Sequence, residues 1–482
     1  MNKLNNKSVK VNTILSLIQK IMNLCMPLIT FPYASRILLP EGIGKVNFSH
    51  SITGYFSILA GLGISSYAIR ECSKIRDDIN KFSKMVKELF LINIFSMICS
   101  FLLLFLTLFF FDSLQPYILL AVICSSSIFF ETIGLSWVYS SHEDFKFVTL
   151  TTIFFQILSL IYLFLFVKSS SDIIEYTIFG VIATNFTNFL CFIHSKHYVN
   201  WKIKCKLEFK KHFKPIFTLF AMTAAQSVYL ILDTTILGLI SGDEAVGYYS
   251  AATKINKMAL GIITAMSTVL LPRLSYYIEM EKEKYYSLLQ KSLNILLALS
   301  IPMAMGLFVL SDQLILLFCG IHFKESIIPM KILVPLVLEI PLSVLVHQQI
   351  FLPNRKDFYS LLTVISGALI NFILNMILIP KWSYYGACIS TLIAEFSVML
   401  VSLILTNQSV PKFFSFFKYI YQYIVASIVM AVVIFIEQNI IHINSISLII
   451  IEITTGIFIY FLILLFFKNK YLSFILHLKN KR

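Results

Sequence analysis

Eight charged side chains stand inside or at the ends of long apolar runs, and the chemistry of this chain begins with them. Four are cations, Lys20, Arg36, Lys254 and Lys257, and four are acids, Glu131, Asp233, Glu339 and Glu395. A charge at the centre of a bilayer costs about 2.5–3.5 kcal/mol on insertion scales, so such residues face a wet cavity or one another. The stretch Gln226–Lys257, QSVYLILDTTILGLISGDEAVGYYSAATKINK, concentrates them. Asp233 lies in its first apolar run, Ser241-Gly242-Asp243-Glu244 makes a polar turn, and Lys254 and Lys257 lie in the second run. At about 1.5 Å rise per residue, Asp233 and Lys254 both fall roughly 12 Å from the turn, at similar depth on successive helices where they can pair. Lys254 and Lys257 are three apart and share a helix face. Lys20 lies roughly 10 Å into the first apolar run and can snorkel to the inner surface; Arg36 sits at the outer end, where an interfacial anchor is the plain alternative. Glu339 and Glu395 fall near the middle of their runs. A carboxyl group in hydrocarbon can hold its proton, so each is a candidate for proton coupling, the alternative being that it satisfies a lysine or a backbone group. Glu437 and Glu452 read as interfacial or packing residues, and His50 and His347 as satisfied polar contacts.

The elements that must position these residues are membrane helices. The chain has 482 residues, of which 58% are hydrophobic and only 13% charged, with a mean hydropathy of +0.82. A soluble domain carries about 25% charged residues, so the composition is that of a polytopic all-α membrane protein. Spans of about 20 apolar residues number fourteen: 13–33, 45–68, 86–111, 116–140, 145–167, 173–194, 215–240, 246–271, 288–310, 327–351, 358–379, 383–405, 416–437 and 444–467. Residues 13–33 are longer than a signal-peptide core and read as an uncleaved first helix. The semi-apolar stretch Ser311–Ser326 reads as a short interfacial helix. Eight cysteines are scattered singly with no ligand spacing and act as small apolar residues.

The net charge is +14. In a soluble protein that would suggest nucleic acid, yet no nucleic-acid motif is present and the placement of charge gives a different reason. With the N-terminus in the cytoplasm, 30 of the 39 lysines and arginines fall in inside segments and six in outside segments. That asymmetry obeys the positive-inside rule and puts both termini in the cytoplasm, facing anionic lipid. The basic segment 196–214 divides the chain. An N-lobe of six helices (1–195) precedes it, a C-lobe of six (215–410) follows, and 411–482 adds two helices and a basic tail. Glu41-x-x-Gly44 and Glu244-x-x-Gly247 recur at matching places in the two lobes. Parallel six-helix repeats of this kind are related by an axis along the membrane normal, with a central cavity.

Several motifs carry a family resemblance. Asp233-x-x-Ile-Leu-Gly238 followed by Val246-Gly247-Tyr248-Tyr249-Ser250-Ala-Ala-x-Lys254-Ile resembles the seventh–eighth helix signature of Wzx-type polysaccharide flippases, members of the superfamily that also holds MATE drug exporters and lipid II flippases. Phe31-Pro32-Tyr33-x-x-Arg36 with Gly42-x-Gly44, Leu316-Leu-Phe318-x-Gly320-x-x-Phe323, and Gly386-Ala387 after Trp382 are similar to further family motifs, in family order over nearly the whole chain. Cys319-Gly320-Ile321-His322 departs from the family, which often has a small or charged residue there. The resemblance implies translocation of undecaprenyl-pyrophosphate-linked oligosaccharide repeat units across the cytoplasmic membrane by alternating access of two lobes. The product would be O-antigen, capsule or a related polysaccharide, and a polymerase and a chain-length regulator would be partners. It also implies that Lys254, Lys257, Lys20 and Arg36 serve the pyrophosphate, and that the two added helices form a groove for the lipid tail.

Two other classes set the contrast. A MATE-type exporter of cationic drugs coupled to Na⁺ or H⁺ calls for an acidic cavity, whereas lysines are prominent here. A membrane polymerase or ligase usually needs a large outer loop, and the longest outside loops are about 16 residues. No catalytic constellation, metal motif or cofactor signature is present, and without a P-loop ATP is not a direct energy source.

Overall fold

The computed structural model describes residues 9–407, 410, 413–440 and 445–469. The helices are α1 (Val9–Gly61), α2 (Ile64–Cys72), α3 (Ile79–Phe110), α4 (Ile118–Gly134), α5 (Ser136–Ser141), α6 (Phe145–Phe166), α7 (Ile173–His194), α8 (Lys210–Ser241), α9 (Asp243–Met280), α10 (Lys282–Val309), α11 (Ser311–Cys319), α12 (Ile327–Leu333), α13 (Leu336–Leu345), α14 (Asp357–Thr406), α15 (Ile420–Ile440) and α16 (Ser445–Phe466). No strand occurs among the described residues. α11 is the short helix expected within Ser311–Ser326.

Helix breaks follow from local chemistry. α1 is broken at Leu39 (φ 63°, ψ 173°), directly before Pro40. Proline lacks an N–H, and its ring drives the preceding residue out of the helical region. The α8–α9 junction breaks at Gly242 (φ 82°, ψ −178°), a region glycine enters without a Cβ clash. Leu39 and Gly242 therefore adopt the same unusual backbone 203 residues apart, the offset between the two Glu-x-x-Gly motifs. α14 is broken at Ser383 (φ 50°, ψ −130°), three residues after Pro380. The start of α3 is capped by Asp78, whose carboxylate accepts the N–H groups of Asn80 and Lys81.

Ten helices among the described residues are long and apolar enough to cross a membrane, or eleven if the bent pair on either side of Val334–Pro335 is one span. The expected fourteen is not reached by that count. Two segments, Cys25–Ile75 with 51 residues and Phe358–Thr406 with 49, each run from one expected span into the next. Each is over twice the roughly 20 residues a bilayer needs, and each bends at its break. α9 carries the eighth expected span but is not among the ten. Large apolar side chains point outward along the helices, among them Phe95, Phe109, Phe435 and Phe466. On a soluble protein so much exposed apolar surface would be an aggregation liability; against acyl chains it is the natural solvent-facing side. The protein is a multi-pass membrane protein.

The chain forms two compact units, Met1–Gly247 and Tyr248–Arg482. In the first, Ile64, Phe82, Val86, Leu89, Val138 and Ile216 build a core at one end of the helices. Trp137 and Tyr139, whose ring types are common at membrane interfaces, belong to that core instead. The Tyr139 hydroxyl donates to the Cys191 carbonyl at 2.6 Å, so the partner that makes its burial tolerable is protein. Trp382 is exposed, as an interfacial residue should be.

Candidate functional site

The bend of α1 and the α8–α9 turn pack against each other within the first unit. A methyl group on Gly44 would overlap the Asp243 carbonyl, and one on Gly247 would overlap the Pro40 carbonyl. Each glycine thus seats on the backbone that precedes the other motif's glutamate. A methyl on Gly238 would strike the Phe48 ring. The Phe48 ring meets Tyr117 edge-on at 4.8 Å, and the Tyr117 hydroxyl donates to Asp243 Oδ1 at 2.7 Å. Glu41 pairs with Lys45 one turn on, at 2.6 Å. This seam fixes where α9, the helix of Lys254 and Lys257, begins.

The sequence-predicted residues divide between the units. Asp233 is 6% exposed on α8; Tyr55 of α1 is hydrogen-bonded to Thr235 and lies within electrostatic reach of Asp233. Glu131 on α4 accepts from the Ser57 hydroxyl at 2.8 Å. Arg36 is exposed close to the α1 break, and the Lys20 side chain lies outside the described residues. In the second unit, Lys254 and Lys257 are both exposed and near enough for their charges to interact. Lys254 keeps exposed surface although protein surrounds much of it. Glu339 on α13 is 7% exposed. Its Oε2 has no hydrogen-bond partner among the described residues, and Glu395 on α14 lies within electrostatic reach. The structure therefore brings Lys254 to Lys257 and Glu339 to Glu395. His347 is bonded to Ser402 and Thr363 through Nε2, at 3.1 and 2.9 Å, the satisfied contact expected of it.

Sequence reasoning missed a buried network at Glu88. This carboxylate is fully buried on α3. It accepts from the Glu208 N–H at 2.8 Å, from His212 Nε2 at 2.8 Å and from Lys211 at 3.0 Å. The His212 Nδ1 meets the Tyr67 hydroxyl at 2.9 Å. Lys84 and Lys211 hold the neighbouring Glu208 carboxyl below its usual range. Lys87 donates to the Ile203 carbonyl at 2.9 Å, and the Asn200 N–H to Ser83 Oγ at 2.8 Å. The segment read as a basic linker is thus fastened to the first unit. Odd-numbered residues from Trp201 to Phe209 are half-buried and even-numbered ones from Lys202 to Lys210 exposed, a period of two that marks extended chain on an apolar surface. That alternation, WKIKCKLEFK, was the available signal.

Comparison with known proteins follows the same lines. The family described as "Polysaccharide biosynthesis protein" matches residues 9–278. A putative O-antigen transporter of Escherichia coli (strain K12) is 27% identical over 420 residues, covering 84% of this chain and 98% of the relative. A probable low-salt glycan biosynthesis flippase of Haloferax volcanii is 26% identical over 245 residues, 50% of this chain and 51% of the relative. Among solved structures, the lipid II flippase MurJ in an inward closed conformation superposes with a TM-score of 0.73 at 19% identity, covering 95% of this chain and 99% of that one. An inward-facing multidrug resistance MATE family transporter superposes with a TM-score of 0.61 at 13% identity, covering 83% and 97%. At such identities the structures speak for the fold, an all-α transporter architecture.

Proposed function

The chain belongs to the polysaccharide biosynthesis protein family, and from that premise we infer that it is a flippase for lipid-linked oligosaccharides. Its substrate is an undecaprenyl-pyrophosphate-linked repeat unit, carried across the cytoplasmic membrane by alternating access of two six-helix lobes, 1–195 and 215–410, with both termini in the cytoplasm. The repeat unit feeds a surface polysaccharide, where a polymerase and a chain-length regulator take over. The observation that carries this reading is the pair Lys254 and Lys257, exposed and close together within the run 246–271 of α9. A pyrophosphate diester is a dense dianion, and moving it through hydrocarbon requires cations that face water. Lys20 and Arg36, both on α1, are further cations assigned to the pyrophosphate in this reading. Glu339 and Glu395 are a place where a proton or small cation enters the cycle, because two carboxyl groups in low dielectric do not both stay charged without a counterion. Asp233 and Glu131 orient neighbouring polar groups in the first unit.

The test is lipid-linked oligosaccharide in cells lacking this protein, its sidedness read with an impermeant sugar-modifying reagent. Complete repeat units that accumulate unmodified, on the cytoplasmic leaflet, are the expected result. Units fully modified from outside but unpolymerised would make the protein a polymerase or ligase. Unchanged lipid-linked sugar with altered drug sensitivity would make it a MATE-type exporter.

A further inference from the structure

Glu452 of α16 has no exposed surface. It packs against α11, where Gln313 donates from Nε2 to Glu452 Oε1 at 3.2 Å. The other oxygen, Glu452 Oε2, is buried with no hydrogen-bond partner among the described residues, and so is Gln313 Oε1. Both orphaned atoms are acceptors, and they sit on the two groups that already share a hydrogen bond. Turning the Gln313 amide over gives no relief, because its carbonyl would then face the carboxylate. α15 brings a second acid, Glu437, within electrostatic reach of Glu452. The Glu437 carboxylate accepts from the Thr455 hydroxyl of α16 at 2.8 Å, and Thr455, three residues after Glu452, shares its helix face. The charged group that acts on Glu452 is thus another acid and not a cation. On α11, Asp312 is engaged with Lys331 at 2.6 Å. α10, which also packs here, carries no ionisable residue from Ser292 to Val309.

An ionised carboxylate buried without a cation is costly, and an unmet acceptor beside it adds to the cost. A single proton answers both. On Glu452 Oε2 it removes the charge and turns an orphaned acceptor into a donor. In the planar, side-by-side pairing open to a carboxyl and an amide, that donor reaches Gln313 Oε1. A bound hard metal ion takes about six oxygens, and no group of three acidic, histidine or cysteine ligands that could hold one occurs among the described residues. We propose that Glu452 is a proton-binding site whose acid form fastens α16 to α11 through a two-way hydrogen bond with Gln313. With both termini in the cytoplasm, as proposed above, the end of α15 and the start of α16 lie on the outer side. Glu452 is then roughly 10 Å in from the start of α16, and Glu437 roughly 5 Å in from the end of α15. The site exchanges its proton with the outer compartment, and α16 loosens from α11 when the proton leaves. It is built on other helices than Glu339 and Glu395, and it stands whatever the protein carries.

The experiment uses the full chain purified in detergent. A protonated carboxyl group absorbs in the infrared apart from ionised carboxylates and backbone amides. Spectra of the wild type and Glu452→Gln at neutral pH are expected to differ by the loss of one protonated carboxyl. In Gln313→Leu that band is expected to persist but shift, because the acid no longer donates to the amide. Glu452→Gln keeps a donor and an acceptor in place and is expected to melt with the wild type in mildly acidic buffer. Glu452→Ala is expected to melt about 2 °C or more below both, the scale of one lost hydrogen bond. The unfolded chain releases a glutamate proton near pH 4.3 while the folded chain holds this one, so wild-type stability falls as the pH rises. That fall is expected to be shallower in Glu452→Gln between about pH 5 and pH 9. If Glu452→Gln removes no protonated-carboxyl band, the proposal is overturned. It is overturned too if Glu452→Gln melts as low as Glu452→Ala. A wild-type melting temperature raised by sodium chloride over choline chloride, with no such rise in Glu452→Gln, also overturns it and makes the occupant a metal ion.

Discussion

Single atoms decide the most at two places. At the seam, Gly44 and Gly247 leave no room for a methyl group, and what they touch is backbone, which does not yield as a flexible side chain does. Gly44→Ala and Gly247→Ala should each cost about 1–3 kcal/mol, the usual range for overpacking, read as lower melting temperatures in detergent. Gly61→Ala is the control, since nothing lies within 4 Å of the added carbon; an equal loss there would take the effect away from the seam. At the cations, the double substitution Lys254→Ala with Lys257→Ala should reduce surface polysaccharide by about tenfold or more, one charge-assisted contact to phosphate being worth roughly 1.5–3 kcal/mol. Lys20→Ala should do less. Equal polysaccharide in the double variant and the wild type, at matched protein levels, removes these lysines from the substrate path. The charges themselves were legible in the sequence, because a lysine in an apolar run announces its own cost. Their partners were not. Glu395 lies 56 residues beyond Glu339, and no spacing rule links the two.

Whole elements are governed by what fastens them. The break in α1 was foreshadowed by Pro40, whose effect on the preceding residue is local. The break at Ser383 was less visible, three residues past Pro380 where a serine takes a positive φ. The segment 196–214 shows the limit of local reasoning. Its lysines suggested a basic divider between two lobes, yet it is fastened by Glu88, more than a hundred residues earlier. Glu88→Ala strands His212 and the Glu208 N–H and should cost about 3–5 kcal/mol, as breaking a buried ion pair does. The segment should then detach and become a ready substrate for trypsin at Lys202, Lys204 and Lys206. Tryptic cleavage at these lysines no faster than in the wild type would mean that the apolar odd-numbered face alone holds it down.

Across the whole molecule, hydropathy and charge revealed the class and the two-sided topology, because both are sums over many residues and tolerate local error. The number of spans was less legible, since α1 and α14 pass from one expected span to the next through a single broken residue rather than a loop. Stability against pH is also a property of the whole, and His142, in the short loop before α6, contributes to it. Burial pushes its imidazole below the ordinary histidine range, with the charge of Arg76 acting in the same direction. The unfolded chain therefore takes up a proton near pH 6.5 while the folded chain resists it. Stability is unaffected above that pH and falls as the pH drops below it. His142→Phe should flatten the decline in melting temperature between about pH 7 and pH 5; an unchanged slope would assign it to other groups. The seam has a symmetry of its own. Exchange Pro40–Gly44 for Asp243–Gly247 and the contact is the same: each glycine on the other's backbone, each preceded by the same broken residue. That self-complementarity belongs to two identical chains meeting about a twofold axis. The two glycines are therefore equivalent positions, and what a substitution does at one it should do at the other.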